Sequence, residues 1–311
     1  MPEQASLTDL TNQLCQISKL IDQSGTIESV VTQAATADSP VAADATTKLV
    51  FTSAQDVPMF VTVSGDGNPD LVARATRNIK KVRRQLSERY AEPVVEPLEA
   101  GMVLGRSFAV WPMLDQFPQG RVPRYLAKRR IRPNVLDWLS GILDETHIQT
   151  NADDRRLIAT NLALLYDDRR HQDHVRRAAE SAADSLASGR WVPVHCVQHS
   201  DLWMGNIMIA PAGSSMSFTL VDWAGATTTG YPFFDLCRFA ISNNTPSRLI
   251  KKHVACQLRR LDSNSNRIGF NVLCALGQMQ SRLEHFPESL FRKMALETTN
   301  FSLNLSEEMR Q

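Results

Sequence analysis

The chain has 311 residues, 43% of them hydrophobic, and a formal net charge of +1 with histidine neutral. That length and apolar content suit two lobes with a large buried core, and a charge so near zero argues against global electrostatic binding of nucleic acid. Five cysteines, Cys15, Cys196, Cys237, Cys256 and Cys274, are widely spaced without a Cys-x-x-Cys or zinc pattern, and read as reduced thiols.

The opening Met-Pro-Glu-Gln has no basic stretch ahead of an apolar one, so no secretion signal is expected. No apolar run reaches the length of a membrane span, and the expected location is the cytoplasm with no membrane partner. Residues 6–22 place Leu7, Leu10, Leu14, Ile17 and Ile21 at helical intervals, which predicts a docking helix within a first segment, 1–24. From Gly25 the pattern turns to strands at 27–31, 49–52 and 59–63, with a glycine-free loop at 34–47 between the first two. A helix from Pro69 to about Arg89 follows, burying Val72, Ala75, Ile79, Val82 and Leu86. It also carries Arg74, Arg77, Lys80, Lys81, Arg83 and Arg84, and has no acid between Leu71 and Ser87.

Short strands are predicted at 94–98, 102–104 and 107–110, leading into Trp111-Pro112-Met113-Leu114. Arg121, Arg124, Lys128, Arg129, Arg130 and Arg132 then stand together without an acid and read as a solvated linker face. Helices dominate from there, at 135–146, 153–187 with a break near 166–171, 235–241, 247–261, 268–283 and 287–305.

One stretch interrupts the helices. Apolar Val192, Val194, Cys196 and Val197 lead into His199-Ser200-Asp201-Leu202-Trp203-Met204-Gly205-Asn206; Ile207, Met208 and Ile209 follow, and a second strand-like run ends in Val221-Asp222-Trp223. This spacing suits phosphoryl transfer, which needs a nucleophile held in line and metal-bound phosphates more than covalent chemistry from the protein. An Asp must meet the attacking hydroxyl. An Asn five residues on can offer a neutral oxygen to magnesium, and an Asp at the end of the next strand a charged one. Asp201, Asn206 and Asp222 stand at those places.

Together with Gly230-Tyr231-Pro232-Phe233-Phe234-Asp235-Leu236, these segments resemble the catalytic core of the aminoglycoside phosphotransferase and choline kinase-like family, small-molecule relatives of the protein kinases. The resemblance implies an α+β, protein kinase-like two-lobed fold, with a small antiparallel-sheet lobe at 25–114, a hinge at its end, and a mainly helical lobe at 115–311. It implies ATP and Mg as cofactors and a small-molecule hydroxyl as acceptor, a sugar or amino alcohol for instance, with no nucleic acid involved. Asp201 is then the catalytic residue, with His199 and Asp235 bracing its loop, and Asn206 and Asp222 hold the metal. Met113 or Leu114 meets the adenine edge, because Pro112 has no amide to donate.

The resemblance is incomplete in the first lobe. A lysine on the third strand normally reaches the nucleotide phosphates and pairs with a glutamate on the following helix, whereas Thr62 stands at that place and the helix has no acid. Arg74 or Arg77 is the candidate substitute, since guanidinium binds phosphate in bidentate fashion. The missing lysine and glycine-free loop also motivate the alternative of a pseudokinase, a nucleotide-binding or regulatory module without efficient turnover.

Overall fold

The computed structural model of the chain describes residues 26–32, 46–52, 58–115, 117–118, 120–210, 213–284 and 286–310. The helix expected at 6–22 and the loop at 34–45 lie outside the described residues. The described chain divides into two compact units, the residues up to 80 with 95–115, and 81–94 with 116 onward. No helix among the described residues is long and apolar enough to cross a membrane.

The first unit is built on an antiparallel sheet. Strands β1 (Thr26–Thr32), β2 (Thr47–Thr52), β3 (Pro58–Val63), β4 (Glu99–Val103) and β5 (Arg106–Pro112) lie in the order β1-β2-β3-β5-β4. Period-2 alternation sends Leu49, Met59, Val61, Val63, Val103, Phe108 and Val110 to one buried cluster, where each fully buried Val or Leu side chain contributes roughly 1.5–3 kcal/mol. Helix α1 (Leu71–Arg83) starts without an acid in its first turn. The sheet supplies the cap instead: the Val72 amide donates to Ser64 Oγ at 2.9 Å and the Ala73 amide to Ser107 Oγ at 3.0 Å. The Ser107 hydroxyl donates onward to the Pro69 carbonyl at 2.8 Å, which leaves Ser64 as the donor in the 2.8 Å contact between the two hydroxyls.

Two expectations fail here for physical reasons. Residues 94–98 form no strand: Val94 makes one parallel bridge to Leu220, and the Leu98 amide bonds the Val110 carbonyl at 2.8 Å. Pro93 precedes the stretch and Pro97 lies within it, where it removes a ladder donor. The helix expected to about Arg89 stops at Arg83, and a separate short helix, α2 (Glu88–Ala91), follows.

In the second unit a long helix, α3 (Arg121–Thr146), includes the stretch expected to be a linker. It runs through Pro133, whose missing amide would have bonded the Arg129 carbonyl, and Arg129 is exposed where water can satisfy that carbonyl. β6 (Ile148–Gln149) follows, and then α4 (Ala152–Asp167) begins with a capping box in which the Asn151 side chain and the Asp154 amide, and the Asp154 side chain and the Asn151 amide, bond at 2.9 Å each. After α5 (Asp173–Ala187) the chain enters β7 (Val194–Gln198), which lies between β6 and β10 (Thr227–Gly230). β8 (Ile207–Ile209) and β9 (Phe218–Leu220) form a separate antiparallel pair. Helices α6 (Phe234–Ser242), α7 (Ser247–Arg260), α8 (Asn266–Gln280) and α9 (Glu288–Glu308) complete the unit. Trp138 of α3 meets Phe218 and Trp223 edge-on, at centroid distances of 6.2 and 6.5 Å, and so anchors the strand pair.

Candidate active site

β7 delivers its last residues to a loop whose backbone is bound by a distant carboxylate. Asp235, in the first turn of α6, accepts the His199 amide at 2.6 Å through one oxygen and the Ser200 amide at 3.0 Å through the other. Ser200 lies in the left-handed region at φ 72°, which turns two successive amides toward one group. Burial pushes the Asp235 carboxyl up to about 7, against the opposing pull of those two amides.

A second clamp comes from Gln198. Its Nε2 donates to Ser200 Oγ at 3.0 Å, and its Oε1 accepts the Tyr231 amide at 2.8 Å. The approach is so close that a Cβ on Gly230 would stand 2.2 Å from Gln198 Cβ. Glycine is therefore needed at this position of the Gly-x-Pro-x-x-Asp-Leu segment. Phe233, at φ 70°, is a bulky residue in the left-handed region, a local strain held by the fully buried Phe234 and nearly buried Asp235 beside it.

His199 is a brace. Its Nε2 donates to the Val221 carbonyl at 3.0 Å, its Nδ1 accepts the Asp201 amide at 3.4 Å, and its ring lies 4.5 Å from that of Trp223. Burial pushes its pKa down to about 4, so the imidazole is neutral and its one proton is committed to Val221.

Asn206 and Asp201 form the centre. The Asn206 Nδ2 group donates to both the Asp201 carbonyl and Asp201 Oδ2, at 2.9 Å each. Both amide protons are thereby used, and Oδ1 is left as the acceptor. Asp201 is exposed to solvent yet crowded by protein, and incomplete hydration with the Asp222 charge pushes its pKa up to about 6. Hydrogen bonds from Asn206 and the Trp203 indole and the charge of Arg238 oppose that rise. Asp222 follows β9 at φ 65°. The residue before it is held by both its main-chain groups, since the Val221 amide donates to the Asn206 carbonyl at 3.0 Å while the Val221 carbonyl receives His199.

Among the described residues no group of three or more His, Cys, Asp or Glu side chains could hold a metal ion. The candidate donors are an amide oxygen and one carboxylate, Asn206 Oδ1 and Asp222. These hard oxygen donors fit magnesium, which dehydrates reluctantly and is held by few protein ligands when phosphates and water fill the other positions.

The remaining candidates belong to the first unit. Thr62 accepts a 2.9 Å hydrogen bond from the Trp111 indole. Met113 is exposed and Leu114 half-buried just after β5, and Arg77 is exposed on α1. The β2 to β3 register places Lys48 directly opposite Thr62 and on the same face of the sheet. Sequence reasoning passed over Lys48, because only strand register reveals the pairing. It also passed over Arg238, although the three-residue spacing from Asp235 places both on one face of α6.

No family model matches the chain, and no curated protein matches it. Among solved structures it is similar to a macrolide 2′-phosphotransferase from Brachybacterium faecium, at 15% identity and a TM-score of 0.54 over 94% of this chain and 98% of that one. A choline kinase from Streptococcus pneumoniae gives 12% identity and a TM-score of 0.54 over 94% and 98%. A spectinomycin phosphotransferase, solved with ADP and spectinomycin, gives 11% identity and 0.51 over 95% and 97%. The chain thus has the aminoglycoside phosphotransferase and choline kinase-like fold, an α+β arrangement of an antiparallel sheet followed by a mostly helical region.

Proposed function

We propose that the protein is an ATP- and Mg-dependent phosphotransferase that moves the terminal phosphate to a hydroxyl of a small molecule such as a sugar or an amino alcohol. The observation that carries this reading is the double hydrogen bond from Asn206 to Asp201, which orients the carboxylate and leaves an amide oxygen for a cation. Asp201 orients the acceptor hydroxyl and receives its proton as the new bond forms; a carboxylate with a modestly raised pKa suits that late transfer. Asn206 and Asp222 would hold magnesium, which when bound neutralises charge on the phosphates. His199 and Asp235 keep the loop in its left-handed turn. The adenine edge falls to the backbone of Met113 or Leu114, and the phosphate cation to Lys48, beside Thr62, or to Arg77. The setting is the cytoplasm, where ATP and magnesium are supplied.

A pseudokinase is the second reading, and the Thr62 to Trp111 hydrogen bond favours it, since that side chain is committed to the sheet. The two readings part in a thermal-shift titration with ATP, with and without magnesium, followed by single-turnover ATP hydrolysis and a panel of alcohols. A magnesium-dependent shift with measurable hydrolysis, accelerated by one acceptor class, is the result expected of an enzyme. A shift with no hydrolysis above background would favour the binding module.

A further inference from the structure

Arg238 stands one turn beyond Asp235 on the same face of α6, and Asp235 bonds the backbone of His199 and Ser200. The side chain is therefore carried toward the loop that holds Asp201. It is half-buried, its Nε atom is fully buried with no hydrogen-bond partner, and it makes no hydrogen bond to any described residue. A guanidinium serving as a structural counter-ion forks onto a carboxylate in a bidentate pair. Two nearby carboxylates are engaged elsewhere: both Asp235 oxygens take backbone amides, and Asp201 Oδ2 takes Asn206. Asp201, Asp235 and Glu297 of α9 act on Arg238 through charge alone. The two Nη groups make no hydrogen bond either and are not fully buried, so they can take a partner from outside the chain, and their planar fork fits carboxylate or phosphate oxygens.

We infer that Arg238 is a binding residue for an oxyanion brought to Asp201, carried either by the acceptor alcohol as its own carboxylate or phosphate, or by the phosphoryl group in transfer. This rests on the phosphotransferase reading, because that reading makes Asp201 the place where acceptor and phosphate meet. The charge on Arg238 holds the Asp201 carboxyl down against burial, and an arriving anion would share that cation.

The test is calorimetric titration of the full chain with inorganic phosphate in the presence of Mg-ADP, comparing the native protein with Arg238→Met and Arg238→Lys. The expected result is phosphate binding weakened about 10- to 100-fold by Arg238→Met, the range for losing a charged hydrogen-bonding group, with Arg238→Lys intermediate. The melting temperature of Arg238→Met should be unchanged or raised, since no hydrogen bond within the protein is lost and the burial cost of the guanidinium outweighs its attraction to Asp201, Asp235 and Glu297. Repeating the titration with an imido analogue of ATP separates the sources: phosphate that still binds marks an acceptor anion, and phosphate that is excluded marks the transferring group. Equal phosphate affinity in the native protein and Arg238→Met would overturn the inference, as would a lowered melting temperature in Arg238→Met that Arg238→Lys restores without restoring phosphate affinity. Absence of any Mg-ADP-dependent stabilisation in the native protein would instead sink the phosphotransferase reading itself.

Discussion

Asn206 spends both protons of its side-chain amide on Asp201, one on the backbone carbonyl and one on the carboxylate, each at 2.9 Å. Asn206 thus ties the end of the loop between β7 and β8 back onto Asp201, and it also receives the Val221 amide on its own carbonyl. Replacing Asn206 with Ala removes two hydrogen bonds, one to a charged group, and should lower stability by about 1–3 kcal/mol. Because the candidate cation donor goes with them, the magnesium concentration for half-maximal hydrolysis should rise as well. Urea unfolding and a magnesium titration of the same variant check the two effects. A stability loss with an unaltered magnesium requirement would leave Asn206 as a purely structural residue.

Two groups at the site drive stability in opposite directions with pH. His199 has its pKa lowered from 6.5 to about 4, so between those values the unfolded chain binds the extra proton and stability falls as pH falls. Asp235 has its pKa raised from 3.8 to about 7, so the folded chain binds the extra proton and stability rises as pH falls through the same window. The native protein should show little slope from this pair between pH 4 and 6.5. In His199→Gln, which keeps a donor for the Val221 carbonyl, the histidine contribution disappears, and stability should then rise toward low pH by up to about 1.4 kcal/mol per pH unit relative to the native slope. Chemical denaturation at several pH values measures it; parallel profiles for the two proteins would contradict the assignment.

Gly230 is required by packing against Gln198. A Cβ placed there would stand 2.2 Å from Gln198 Cβ and 2.7 Å from Oε1, the atom that accepts the Tyr231 amide. Gly230→Ala should cost about 1–3 kcal/mol, the range for overpacking a well-filled site. Hydrolysis should fall with it, because Gln198 also bonds Ser200. Thermal unfolding and single-turnover rates give both, and a variant as stable as the native protein would show that the clamp yields easily.

The loop of the candidate site was legible because its residues are local in sequence. Asp201 to Asn206 is one loop, and the apolar runs on either side fix the strands that hold it. The role of Asp235 on the backbone of residues 199 and 200 came only through resemblance, since a hydrogen bond across 35 or more positions leaves no periodic trace. The first unit was less readable. The strand pattern gave β3 and Thr62, but the lysine facing Thr62 comes from β2, and register is set by pairing that no single strand reveals. The linker expected at 121–132 failed because charge density was read as loop, whereas arginine and lysine are good helix formers and nothing in the stretch before Pro133 forbids a helix.

Lys48 and Arg77 can be told apart as the phosphate cation. Lys48→Met or Arg77→Met, whichever removes the contact, should raise the ATP requirement about tenfold, equivalent to roughly 1.4 kcal/mol of binding, with the melting temperature of the nucleotide-free protein unchanged. Nucleotide titration of each variant decides it, and unchanged ATP affinity in both would dismiss the two assignments together.

The proposed role of Asp201 is to meet the acceptor hydroxyl. Its direct test is the single-turnover rate of Asp201→Asn with magnesium and ATP, beside an independent measure of nucleotide affinity. Retained folding and nucleotide binding are expected, with a rate reduced by about two to four orders of magnitude, the usual contribution of a positioned base. A rate within a few-fold of the native protein would contradict it.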